Sequence, residues 1–180
     1  MTREPGVPEK MLAIHEHLRR AEIDHAFGGA LALAWCTQQA RGTIDIDVNV
    51  FVGPERTDDT LAALPRRVVA TAEDRKLLGR DGQARLWWGT TPVDVFLNTT
   101  DYHEGIAARV RWEPFAGTEV PFLACEDLAV FKAFFNRTKD WADLEAMREA
   151  GTLDVGGVAG VLATFLGSDD ERIARLLSLA

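Results

Sequence analysis

Residues Thr43–Phe51 read TIDIDVNVF, and this strict alternation constrains the fold more than any other feature of the chain. A β-strand turns successive side chains to opposite faces, so Ile44, Ile46, Val48 and Val50 share one face and Asp45, Asp47 and Asn49 the other. The apolar face has to be covered, which demands a sheet packed on at least one side. The other face sets two carboxylates about 6.6 Å apart. Such a pair repels unless that face is wet or a cation sits over it, and from this strand alone both readings stand.

The rest of the chain supplies the layers. Pro5, Gly6 and Pro8 precede a helix expected over 9–21, where Met11, Leu12, Ile14, Leu18 and Ala21 follow helical spacing. His25–Phe27 reads as a short strand and 30–39 as an Ala/Leu-rich helix starting after Gly28 and Gly29. Pro54 opens a short helix, and Thr71 with Asp74 forms a capping box for another at 72–78. Strands are expected at 84–88 and 93–97 as a hairpin, then at 108–112 and 119–123. After Pro121 the pattern turns helical, at 125–135, 139–149, 155–166 and 169–179, the last with Ser168 and Glu171 as a capping box. The class expected is α+β. A mixed sheet core packed by helices spans 1–123, and a C-terminal helical bundle packed on it spans 124–180.

Composition bounds the function. A chain of 180 residues with 47% apolar residues builds a core without a metal or disulfide staple. The formal charge of −8 argues against a broad basic face for duplex DNA, though not against a small basic pocket. Arg66, Arg67, Arg75, Lys76, Arg80 and Arg85 form one candidate patch for a polyanion, or equally a solvated loop face. Cys36 and Cys125 have no CxxC or Cys/His spacing and read as two buried thiols rather than a disulfide or zinc site. His15, His17, His25 and His103 share no motif and are expected at the surface or in caps. Trp87-Trp88 reads as half core, half surface, and Phe131, Phe134 and Phe135 as core. The start of the chain lacks an apolar h-region and no apolar run approaches about 18 residues, so a cytoplasmic protein without a membrane partner is expected.

A third acid adds to the first pair. Asp94 lies inside the apolar strand Val93-Asp94-Val95-Phe96, and if that strand neighbours Thr43–Phe51, three carboxylates gather on one surface. This is a ligand set for one or two Mg²⁺ ions, or Mn²⁺. Upstream, Gly28-Gly29 sits between a strand and a helix start, where backbone N–H groups favour an anion. Sixteen residues separate Gly29 from Asp45, room for one helix and a return. Arg41 and Thr43 stand just before the acidic pair, as a phosphate ligand and a strand anchor, or as ordinary surface residues.

The stretch FGGALALAWCTQQARGTIDIDVNVF resembles the GG-x-A … R-x-T-x-D-x-D motif of the nucleotidyltransferase superfamily, which has the polymerase-β-like fold. The resemblance implies a nucleotidyltransferase-like sheet core. It places the NTP triphosphate on Gly28 and Gly29, with Arg41 and Thr43 nearby, and a metal on Asp45, Asp47 and Asp94. Many members carry a Ser where this chain has Gly29 and Ala30. The later stretch CEDLAVFKAFFNRTKDWADLEAM resembles the C-terminal motif of AbiEii-type and MenT-type toxin nucleotidyltransferases, matched here by Lys132, Arg137, Lys139, Asp140 and Asp143. Lys132, on an otherwise apolar helix, would neutralise the triphosphate, with Asp140 orienting it or Arg137.

The resemblance thus implies a metal-dependent transfer of NMP from an NTP to an acceptor hydroxyl. Its toxin side implies an RNA acceptor, the tRNA 3′ end, and an antitoxin partner. Lincosamide and aminoglycoside nucleotidyltransferases share the GG … DID pattern and act on small molecules, which an acidic pocket would suit. A catalytically inactive relative that binds a nucleotide or a protein is the third alternative.

Overall fold

The computed structural model describes residues 4–180, and the chain divides into two units. The first takes the chain up to Leu31 together with Gly42–Phe122; the second takes Ala32–Arg41 and Leu123–Ala180. The first unit carries α1 (Val7–Arg20), β1 (His25–Phe27), the start of α2 (Gly29–Thr37), β2 (Ile46–Val50), α3 (Thr57–Ala63), α4 (Ala72–Asp81), β3 (Gln83–Trp88), β4 (Thr91–Leu97), α5 (Asp101–Ile106), β5 (Arg111–Phe115) and β6 (Thr118–Phe122). The second carries the rest of α2, then α6 (Cys125–Phe135), α7 (Thr138–Glu149), α8 (Val155–Leu166) and α9 (Glu171–Leu177). The class is the α+β one expected.

The first unit is built on a six-stranded mixed sheet in the order β3-β4-β2-β1-β6-β5. β2 and β4 run parallel with Ile46 opposite Val93, Val48 opposite Val95 and Val50 opposite Leu97. β3 adds antiparallel, with Ala84 opposite Val95 and Leu86 opposite Val93. These apolar side chains are buried, as are Met11, Ile14 and Leu18 on one stripe of α1. The period-two pattern therefore sends one face of three adjacent strands into the core and leaves the other for polar residues. Lys10 is an exception on α1: it is 1% exposed and its ammonium donates to the Trp88 carbonyl (3.0 Å) and Thr91 Oγ1 (2.9 Å), tying the helix to the β3–β4 turn. α4 starts as expected, with Thr71 accepting from the Asp74 N–H (3.1 Å) and Asp74 accepting from that of Thr71 (2.8 Å).

Several expectations need correction. β2 begins at Ile46 rather than Thr43, because its ladder with β4 starts at the Ile46–Val93 pair and nothing pairs the residues before it. Ile44 consequently points to solvent, 77% exposed, instead of joining the apolar face. The N-cap of α9 is Asp170, accepting from the Arg172 N–H (2.9 Å), and not Ser168. Phe134 and Phe135 are exposed rather than core; Arg172 lies over Phe134 and Arg137 over Phe135. The α5 helix, capped by Thr100 accepting from the His103 N–H (3.2 Å), had no sequence signal strong enough to mark it.

The cysteines are not free thiols. Cys36, near the end of α2, and Cys125, at the start of α6, form a buried disulfide within the second unit, their Cα atoms 5.7 Å apart. The 89-residue separation hid this, since distance along the chain says nothing about two helix ends that the fold brings together. Among the described residues, no helix is long and apolar enough to cross a membrane.

Candidate active site

The polar face of β2, β4 and β3 carries a row of charge. Arg85 on β3 is directly opposite Asp94 on β4, and Asp94 is directly opposite Asp47 on β2. Neighbouring strands lie about 4.8 Å apart, so the row crosses three strands within about 10 Å. Asp45 precedes β2, and its charge, like that of Asp47, acts on Arg85. Asp47 and Asp94 thus stand side by side, with Asp45 at the entry to β2, all three within the first unit.

Each acid has a partner. Asp45 accepts from Thr43 Oγ1 (2.6 Å), and the same hydroxyl accepts from the Asp45 N–H (3.3 Å), so Thr43 fixes the carboxylate at the strand's entry. Asp94 takes a two-pronged ion pair from Arg85, Nε to Oδ1 at 2.8 Å and an Nη to Oδ2 at 2.7 Å. Asp47 turns toward Gly29. Arg85 was grouped with a surface patch by its position in the sequence; the sheet register makes it part of this face instead. The Asp94 hydrogen bonds, and beyond them the charges of Asp94, Asp45 and Asp47, hold its guanidinium above the ordinary arginine value.

Gly28 and Gly29 join this face. The Gly28 N–H donates to the Asp47 carbonyl (3.0 Å), locking the β1–α2 turn to β2. Gly29 has φ +55, a left-handed conformation that glycine adopts without strain, and a Cβ there would land on the Asp47 carboxylate. Glycine is required here by close approach as well as by backbone angle. The acid beside it lies at the start of α2, where helix N–H groups favour negative charge.

Among the described residues, no three Asp, Glu, His or Cys side chains stand close enough to hold a metal ion as they are oriented. The donor set still fits a hard divalent cation in kind. Three carboxylates share one face, and a cationic guanidinium already occupies the side of one of them.

The second unit holds a separate charged cluster. Lys132 is 7% exposed; its ammonium lies 2.7 Å from Asp143 and 3.8 Å from the fully buried Asp140. Asp140 also accepts from Arg137 Nε (2.6 Å), and Asp143 from Arg41 (2.6 Å). Thus Lys132, Arg41, Arg137, Asp140 and Asp143 form one ion-pair network.

The histidines are the largest omission of the sequence reading. His15 Nδ1 lies 2.9 Å from His25 Nε2, and His25 Nδ1 lies 2.9 Å from the Ile23 carbonyl, with both rings buried. A carbonyl only accepts, so His25 carries its proton on Nδ1 and accepts from His15 through Nε2. Burial lowers both, His25 to about 4. With Arg19, Asp24 and Trp112 they line a cavity of about 360 Å³. That cavity is at the end of β1 away from Gly28, because His25 pairs with Val50 while Gly28 bonds to Asp47. His103 is buried too, against Asn49 Oδ1 (3.2 Å). None of these three is a surface residue.

No family model and no curated protein matches the chain. Solved structures do. The solution structure of the antibiotic-resistance factor ANT(2'')-Ia superimposes with a TM-score of 0.63 at 18% identity, over 95% of this chain and 95% of that one. A crystal structure of ANT(2'')-Ia in complex with adenylyl-2''-tobramycin gives 0.54 at 14% identity, over 95% and 97%. An antigenic nucleotidyltransferase-like protein from Paracoccidioides brasiliensis gives 0.52 at 14% identity, over 96% and 92%. The fold is therefore that of the nucleotidyltransferases along nearly the whole chain.

Proposed function

We propose that this protein is a metal-dependent nucleotidyltransferase that moves an NMP from an NTP onto a hydroxyl of a small cationic acceptor. The observation that carries this reading is the row Asp47–Asp94 with Asp45 on one sheet face, next to the Gly28-Gly29 turn. In the proposed reaction the acceptor oxygen attacks the α-phosphorus in line; the new O–P bond forms as the bond to the β-phosphate oxygen breaks, and pyrophosphate leaves. Asp45 and Asp47 would hold a magnesium or manganese ion, which supplies charge neutralisation for the phosphates and acidifies a bound hydroxyl. The Gly28 N–H is taken by the Asp47 carbonyl, so the N–H groups at the start of α2 are the ones that would face phosphate oxygens. Asp94 would complete the ligand set or take the acceptor's proton.

A small acceptor is favoured over RNA by where the basic residues are spent. Four of the six basic residues of the candidate patch are ion-paired: Arg75 with Asp58, Lys76 with Glu73, Arg80 with Asp81 and Arg85 with Asp94. A strip so neutralised gives a polyanion little to hold, whereas a face with three acids suits a polyamine drug. The structural similarity to a protein seen with adenylyl-2''-tobramycin supports the same choice. Trp87, 45% exposed and two residues beyond Arg85 on the same side of β3, adds an aromatic surface to that face.

Incubating the protein with Mg²⁺, each labelled NTP and either a panel of aminoglycosides and lincosamides or total tRNA tests this directly. Nucleotidylated drug, seen by mass spectrometry and lost in Asp45→Ala, is the expected result. Label on tRNA would instead support the toxin-type reading drawn from the Lys132–Asp143 segment. No transfer to any acceptor would overturn catalysis.

A further inference from the structure

We propose that Arg85 is the resident counter-charge of the carboxylate face and that it competes with the divalent cation for Asp94. This rests on the metal reading above and adds a regulator to it.

The register sets the competition. Arg85, Asp94 and Asp47 occupy directly opposed positions on three adjacent strands, so the guanidinium lies on the same surface as the acids. Both Asp94 oxygens are engaged by its fork, at 2.8 and 2.7 Å. A metal ion recruiting Asp94 must share or displace that fork, and two cations over three carboxylates repel one another. The two partners differ in freedom. The Arg85 side chain is 53% exposed and Asp94 only 16%, so it is the arginine, on its long stem, that can leave. Thr43 holds the Asp45 carboxylate and Gly29 adjoins that of Asp47. Asp94 is therefore held back from a cation until Arg85 gives way. Arg85 is a positioning residue in this account, acting through Asp94.

Mn²⁺ binding to the full-length chain, followed by the loss of the free-ion electron paramagnetic resonance signal, tests this without any catalytic readout. Arg85→Gln is expected to bind Mn²⁺ about tenfold more tightly than the native chain, within the range of ordinary coupling between sites. Arg85→Lys, which keeps the charge and loses the fork, should fall between. In an Asp94→Asn background most of the gain should vanish, because the contested ligand is gone. Equal Mn²⁺ affinity in native and Arg85→Gln protein would overturn the proposal, as would a lower melting temperature with no change in affinity. An undiminished gain in the Asp94→Asn background would also overturn it, since that is long-range charge alone. If neither native nor Arg85→Gln protein binds Mn²⁺, the metal reading of the three acids falls, and the proposal with it.

Discussion

The buried histidine pair makes the stability of the first unit depend on pH in a defined window. In the folded chain His25 donates from Nδ1 to the Ile23 carbonyl and accepts at Nε2 from His15. A second proton on His25 would set N–H against N–H at 2.9 Å and bring charge into a buried site. Burial, the main cause, accordingly lowers its pKa from 6.5 to about 4. The unfolded chain takes up that proton near 6.5 and the folded chain does not, so between these values the unfolded state binds more protons and stability falls as pH falls. Above about 6.5 both states are neutral and the effect is nil. A shift of about 2.5 units at 1.36 kcal/mol each amounts to roughly 3 kcal/mol, lost by pH 4. His15 is lowered in the same direction, and Glu16, Arg19 and Asp24 are the charges that bias the pair. Carboxylates elsewhere also weaken the fold in acid, so the measurement is a difference. Urea unfolding of the native chain and of His25→Gln at pH 7.5, 6, 5 and 4 should show the native advantage shrinking by about 3 kcal/mol across the series. A constant difference would refute a neutral, buried His25.

Other perturbations probe the remaining contacts. Gly29→Ala forces a left-handed angle on a residue with a Cβ and pushes it into Asp47; an unfolding free energy lower by about 1–2 kcal/mol from the backbone alone is expected, with NMP transfer lost. Asp47→Asn should abolish transfer while leaving the melting temperature unchanged or slightly raised, because it relieves repulsion with Asp94; a large fall in calorimetry would make Asp47 structural. Reducing the Cys36–Cys125 bond, or Cys36→Ser, frees an 89-residue loop and should cost about 4–5 kcal/mol by chain entropy, read in urea titrations with and without reductant. Lys10→Met leaves the Trp88 carbonyl and Thr91 without their donor and should cost about 2–3 kcal/mol by the same titration.

Local signals were legible because local physics made them. The Thr71–Asp74 capping box, the His25–Phe27 strand and the apolar period over Ile46–Val50 and Val93–Leu97 each depend on residues a few positions apart, and each stands where the sequence pattern put it. The misses have one physical origin. Ile44 alternates correctly with Ile46 yet is exposed, since alternation marks which side a residue would face and only a neighbouring strand makes that side a core. Phe134 and Phe135 are apolar on an apolar helix, but the helix has another stripe buried, with Leu128, Ala129, Val130 and Ala133 inside.

The site shows the same limit more sharply. That Asp47 and Asp94 stand side by side required only that two apolar strands be neighbours. What holds those acids required the register. Arg85 is nine residues before Asp94, inside a run of basic residues that reads as solvated surface, and only the hairpin's pairing turns it onto the carboxylates. The cysteine and histidine pairs are of the same kind, joined across 89 and 10 residues by elements whose contact no periodicity encodes. A sequence read by itself thus displays its reactive groups but conceals their partners. In this chain the partners decide the chemistry: the acid beside Arg85 is ion-paired, and the histidine beside His15 is held neutral.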